Sequence, residues 1–178
     1  RGALFEKSLE ALNVACPLAP QEPANWQMRG AAAAWWGEFL RERNENGLAR
    51  FDQAILDLTE SLRRFPQGLT AIAERAFAQL GRGLQLEGTA PEEALKSVVS
   101  ALADIDAALA RTSRVPEYWR RKGIAHALRG RILERTFRKD PVPEWEAAVR
   151  AYGSAIAIDR SHAELWLRRG QARQYHLR

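Results

Sequence analysis

The chain has 178 residues, 46% of them hydrophobic and 28% charged, and its 27 lysines and arginines outnumber 22 aspartates and glutamates for a net charge of +5. This is the ordinary globular range and is enough to bury a sizeable core. It excludes two other classes, because no run approaches the roughly 18 to 20 apolar residues of a membrane span, and the single cysteine, Cys16, rules out an internal disulfide.

Residues 3–16 read as an amphipathic helix, stopped by Pro17 and Pro20, with Pro23 suited to the first turn of the next one. From Ala24 to about Arg43 the helical pattern runs through Trp26, Gly30, Trp36, Phe39 and Leu40 until Asn44, Asn46 and Gly47 end it. Ala31 to Ala34 let a neighbouring helix approach closely. Residues 48–64 form a third helix, whose closing Arg63-Arg64 suits the negative end of the helix dipole. Gly68 marks a turn, and a fourth helix covers Leu69 to about Leu86. Thr89-Ala-Pro-Glu92 has capping-box spacing and opens a helix to Ala110. Pro116 opens the next, to about Arg138, and Asp140-Pro141 caps one that ends near Ile158. Ser161-His-Ala-Glu164 is a second capping box, opening the eighth helix.

The helices repeat. Trp166-Leu-Arg-Arg-Gly170-Gln-Ala172 matches Trp119-Arg-Arg-Lys-Gly123-Ile-Ala125 and Ile72-Ala-Glu-Arg-Ala76-Phe-Ala78 at steps of 47 residues, and Trp26-Gln-Met-Arg-Gly30-Ala-Ala32 one step of 46 earlier. The intervening helices keep step through Phe51, Val98 and Trp145; Ala54, Ala101 and Ala148; Leu58, Ile105 and Tyr152; and Ser61, Ala108 and Ala155. Phe5, Ser8, Leu12 and Ala15 form a half-copy before them. Self-similarity at this period marks an α-solenoid, in which each helix pair buries its apolar face against its neighbours. Cys16 falls in the place of Leu62, Leu109 and Ile156, so it is expected to be a buried packing residue.

At these positions the chain resembles the tetratricopeptide repeat family, whose unit of about 34 residues carries an aromatic, a Gly or Ala four residues on, then Ala and Pro in its second half. Pro20 and Pro66 stand where the family ends its second helix, while Ser113 and Arg160 take that place in later copies. Each unit here is longer by about 13 residues, like units in arrays attached to bacterial serine/threonine kinases and related signalling proteins. The resemblance implies an all-α, right-handed solenoid of antiparallel helix pairs as a single domain, with half-repeat 1–22, repeats 23–68, 69–115 and 116–162, and half-repeat 163–178. Both ends fall in mid-repeat, so a longer natural array is expected, with self-association through the apolar ends. A cytoplasmic setting is expected, although the start, Arg1-Gly2-Ala3-Leu4, has neither a methionine nor a signal-peptide pattern.

The resemblance also implies a concave face built from the first helix of each pair. Matching positions are Gln27, Ala31 and Trp35; Ala73, Phe77 and Leu80; Arg120, Ile124 and Ala127; and Leu167, Gln171 and Gln174. This face is mainly apolar and lacks the Lys and Asn pairs by which chaperone-binding members clamp a terminal carboxylate, so an extended segment or amphipathic helix suits it. Gln27, Trp35, Phe77, Arg120, Lys122, Ile124 and Gln171 are the expected partner-binding residues. Trp26, Trp119, Trp145 and Trp166 occupy repeat core positions and are assigned to packing, whereas Trp35 and Trp36 point about 100° apart, which leaves Trp35 for the groove.

Charge recurs too. Arg29, Arg75, Lys122 and Arg169 stand before each Gly or Ala, a ladder suited to phosphates or an acidic peptide. Yet Asp57 and Asp104 are placed to pair with Arg29 and Arg75 as structural elements. Ala151 stands where Lys122 would need an Asp, leaving Lys122 as the rung expected to bind. In residues 116–139, Arg120, Arg121, Lys122, Arg129, Arg131, Arg135, Arg138 and Lys139 face only Glu117 and Glu134, a net of +6. A solvated face, a site for an acidic partner and a nucleic-acid site all fit that run. For catalysis there is little: His126, His162 and His176 have neither metal-ligand spacing nor a nucleophile beside them, and Gly81-Arg-Gly83 lies inside a helical pattern. The expected function is a non-catalytic protein–protein interaction scaffold without cofactor or metal. Two alternatives stand: a basic adaptor for nucleic acid or an acidic partner through 116–139, and a spacer or oligomerisation arm.

Overall fold

The computed structural model describes residues 2–176, all helix and connecting turns. Eight α-helices follow in order among them: α1 Gly2–Leu18, α2 Pro23–Glu42, α3 Leu48–Arg64, α4 Leu69–Leu86, α5 Pro91–Arg111, α6 Pro116–Arg135, α7 Val142–Ile158 and α8 Ala163–His176. The fold is therefore all-α, and none of the described helices is long and apolar enough to cross a membrane. The chain forms two compact units, Arg1–Gln85 and Leu86–Arg178.

Proline at the first helical position starts α2, α5 and α6, where its missing N–H is no loss. The expected capping boxes do not form. Ala90, not Thr89, is the N-cap of α5, and no side chain bonds there. Ser161 turns away from α8 and donates from its backbone N–H and its hydroxyl to Asp159 Oδ1, at 3.0 and 2.6 Å. Pro141, not Asp140, is the N-cap of α7, and Asp140, one residue earlier, accepts from the N–H of Val142 at 2.9 Å in a turn that leads into the helix. The end of α2 is a Schellman turn with Asn44 at φ 58°, where Glu45 N–H reaches Leu40 O at 2.8 Å and Asn44 N–H reaches Arg41 O at 3.0 Å. Helix α6 stops at Arg135, short of Arg138, which adopts a positive φ of 52°.

In the first unit α2 packs against α1 and α3. Phe51 of α3, fully buried, lies between Gly37 of α2 and Gly81 of α4, either of which would strike its ring if it carried a Cβ. In the second unit α6 packs on α5 and α7, and α8 packs on α7. Its core joins Trp145, Ala148, Tyr152, Ala155 and Ile156 of α7 to Ala127, Leu165 and Ala172. All twelve in-register positions from residue 51 to 155 are buried, and Cys16 is at 0% exposure. Burial of this apolar stripe is what the 47-residue period encodes.

Each tryptophan that opens a repeat also closes the turn before it. Trp26, Trp119 and Trp166 donate their indole N–H to the carbonyls of Pro20, Ser113 and Arg160 at 2.9, 2.9 and 3.2 Å. Trp145 is buried as expected, but Trp166 is not: it is 50% exposed, because no further helix covers α8 among the described residues.

Candidate functional site

In the second unit, α6 and α8 flank α7, and a cavity of 330 Å³ opens between them. Helical spacing builds its walls. Ala127 and Arg131 lie one turn apart on α6, and Arg168, Gln171 and Tyr175 recur along one face of α8. Trp145 and Tyr152 of α7 form the floor, and Gln174 completes the rim. Trp145 and Tyr175 stack with centroids 4.7 Å apart and planes 13° apart. A second cavity of 210 Å³ lies among Pro116, Glu117, Arg120, Asp159, His162 and Leu165.

The charges along this groove are paired. Arg131 forks onto Glu87 at 2.7 and 2.9 Å, Arg120 onto Glu117 at 2.6 and 2.8 Å, and Arg168 Nε reaches Glu164 at 2.8 Å. The hydrogen bonds they donate to Glu117 and Glu87 raise the affinity of Arg120 and Arg131 for their protons. Burial pushes the Tyr152 hydroxyl up to about 12, although Arg168, Arg120 and Arg131 all pull the other way. Tyr152 therefore stays a neutral donor at any ordinary pH, and the groove offers amide, phenol and guanidinium N–H and O–H groups without a large net charge.

The residues expected to bind a partner divide between the two units. Ala127, Gln171 and Gln174 share the cavity, and Arg120 borders the second one. Ile124 instead packs against the core, and Leu167 is 62% exposed. In the first unit Trp35 and Phe77 meet with rings 4.8 Å apart, Trp35 being 48% exposed, while Gln27 is half-buried. Lys122 is not the open rung expected of it, since its Nζ lies 2.6 Å from Asp106 Oδ1 on α5. Arg29 meets Asp57 in the expected pair, which the structure shows to be bidentate, at 2.8 and 2.7 Å.

The basic run on 116–139 is also partnered. Arg121, 7% exposed, donates to Glu117 at 2.7 Å, Arg129 lies 3.4 Å from Glu144, and Arg131 and Lys122 are held as above. Arg135, Arg138 and Lys139 remain exposed, so the positive surface contracts to the C-terminal end of α6. His126 Nδ1 is 2.8 Å from Glu144 Oε2, and no cluster with the makings of a metal site occurs among the described residues. The side chain of His176 lies outside them.

No protein-family model matches the chain, and no curated protein is significantly similar to it. The site must be read from its own chemistry. Sequence reasoning missed Tyr152, Arg168 and Tyr175 as groove residues. Tyr152 carried a signal, being a hydroxyl-bearing ring at a repeat position held by Leu58 and Ile105 elsewhere. Arg168 and Tyr175 share a helical face with Gln171, a spacing that α8 makes visible only once its orientation on α7 is known.

Proposed function

We propose that the chain is a non-catalytic, protein-binding scaffold of tetratricopeptide-like helix pairs in a right-handed array, which takes an extended peptide segment in the groove over α7. The observation that supports this is the meeting of Ala127, Gln171 and Gln174, concave-face positions by repeat register, around one cavity with an aromatic floor. At 330 Å³ the cavity suits one or two apolar side chains. The amides of Gln171 and Gln174 and the hydroxyl of Tyr152 are suited to the carbonyls of the same peptide. Because Arg120, Arg131 and Arg168 are each offset by a glutamate, binding here depends little on salt, unlike a contact with nucleic acid.

The test places a photo-crosslinking amino acid at Gln171, with the exposed Lys96 of α5 as the comparison position. The whole chain is irradiated in a lysate of its source, with and without nuclease. A discrete protein adduct at position 171, unchanged by nuclease and missing at position 96, supports the reading. Identical adducts from both positions, or adducts that vanish with nuclease, overturn it. The second result would transfer attention to Arg135, Arg138 and Lys139.

A further inference from the structure

The cavity over α7 is polar where the same positions one repeat earlier are apolar. Arg131, Tyr152, Gln171, Gln174 and Tyr175 stand one 47-residue step after Leu84, Ile105, Ile124, Ala127 and Leu128. Apart from Ala127 and Ala172, every side chain that lines the cavity carries an N–H or O–H donor, and none of those side chains is a carboxylate. Its walls belong to α6, α7 and α8, on the opposite side of α8 from Trp166 and Gly170.

The glutamates that pair the arginines stand outside the cavity. Arg131 gives Nε and Nη2 to Glu87, and Arg168 gives the same two nitrogens to Glu164, so neither pairing uses Nη1. Both guanidiniums are held in place by these pairs. Arg168 also donates to the Tyr152 hydroxyl, whose own proton is left for an acceptor. Tyr152 is 2% exposed, so its ring cannot swing out to water. Burying a carboxylate is costly unless hydrogen bonds meet it, and charge-assisted bonds from donors already held in place are the strongest that a side chain can offer one.

Resting on the peptide-binding reading above, we infer that this cavity recognises the carboxylate of an aspartate or glutamate side chain within the bound segment. The stem of the acid fills one of the side-chain places that the volume allows, beside Trp145 and Tyr175, and its carboxylate accepts from Tyr152 and from the guanidiniums. An internal side chain suits the site better than a free C-terminus, because the groove continues beyond it. Arg120, Ile124, Ala127 and Arg131 form one stripe of α6, which runs from this cavity to the second one. Glu87 and Glu164 cancel the charge of the arginines at a distance, so the preference comes from short hydrogen bonds and persists as salt is raised.

The probe is a display library of random short segments, each fused at both ends so that none has a free terminus, selected against the whole chain. Selected segments that react with the photo-crosslinker at position 171 share an acid at one place. The consensus is then made as an acetylated, amidated fluorescent peptide, and replacing that acid by its amide weakens binding about tenfold or more at low and high salt alike. Tyr152→Phe keeps the ring, weakens binding of the acidic peptide and narrows the gap between acid and amide. The comparison of acid and amide in the unaltered chain holds whether or not the variant folds. The amide peptide cut to end in a free carboxylate at that place does not recover the loss. Recovery there, equal affinity of acid and amide, or crosslinked segments without a shared acid each overturn the inference and leave the groove reading standing. Failure to select any segment that crosslinks at position 171 overturns both.

Discussion

The glycine four residues after each repeat tryptophan gives a matched pair of substitutions with opposite expected signs. In Gly123→Ala the new methyl would lie 2.5 Å from Tyr152 Cε1 and 2.7 Å from both Cδ1 and Cζ. Three ring atoms in that range cannot be relieved by a ring flip, and Tyr152, 2% exposed, has no room to retreat. Overpacking of this kind costs about 1–3 kcal/mol. Replacing glycine within a helix returns about 1 kcal/mol, which leaves a net loss of up to about 2 kcal/mol. Gly170→Ala meets nothing within 4 Å, so only the helix term remains and the chain gains about 0.5–1 kcal/mol. Urea denaturation followed by far-UV circular dichroism measures both, provided the slope is unchanged between variants. A higher midpoint for Gly123→Ala, or a lower one for Gly170→Ala, would refute the argument that the neighbouring helix decides the cost.

Two other expectations follow from the paired groups. Burial alone would push the Glu117 carboxyl up, but its bonds from Arg120 and Arg121 hold it below 4.5. A depressed carboxylate stabilises the fold above the unfolded value and loses that contribution as pH falls through the folded one. The urea midpoint should therefore drop as pH is lowered below about 4.5, and Glu117→Gln should flatten that dependence while costing about 1 kcal/mol at neutral pH. In Trp119→Phe the indole bond to the carbonyl of Ser113 disappears, with an expected loss of about 0.5–1 kcal/mol; Trp166→Phe, on a half-exposed ring, should cost less, and equal losses would count against the turn-closing role.

The all-α fold was legible because one physical demand, an apolar stripe buried every 47 residues, is written into the chain at twelve positions. Helix bounds followed to within a few residues from proline starts and turn residues. The capping boxes misled because Thr89 and Ser161 have the right spacing but lie outside the helices that begin at Pro91 and Ala163. Charge misled for a different reason. A run of basic residues is counted along one helix, whereas Asp106, Glu87 and Glu144 neutralise it from other segments. The pairing of the first three cations with the residue sixteen before each was present in register, at Asn13, Thr59 and Asp106, and needed only the geometry to give it meaning. The groove was half legible: register named Gln171 and Gln174, but the aromatic floor depends on how α8 lies across α7.

Cys16 gives the chain a built-in clock. Its thiol is at 0% exposure, and burial pushes its ionisation up despite the pull of Arg29 and Arg64. A thiolate-selective reagent can reach it only after α1 has lifted away from α2, so the labelling rate reads how often the first helix opens. With no other thiol in the sequence to compete, that frequency can be followed in the unaltered chain, and any partner that clamps α1 would announce itself by slowing the reaction.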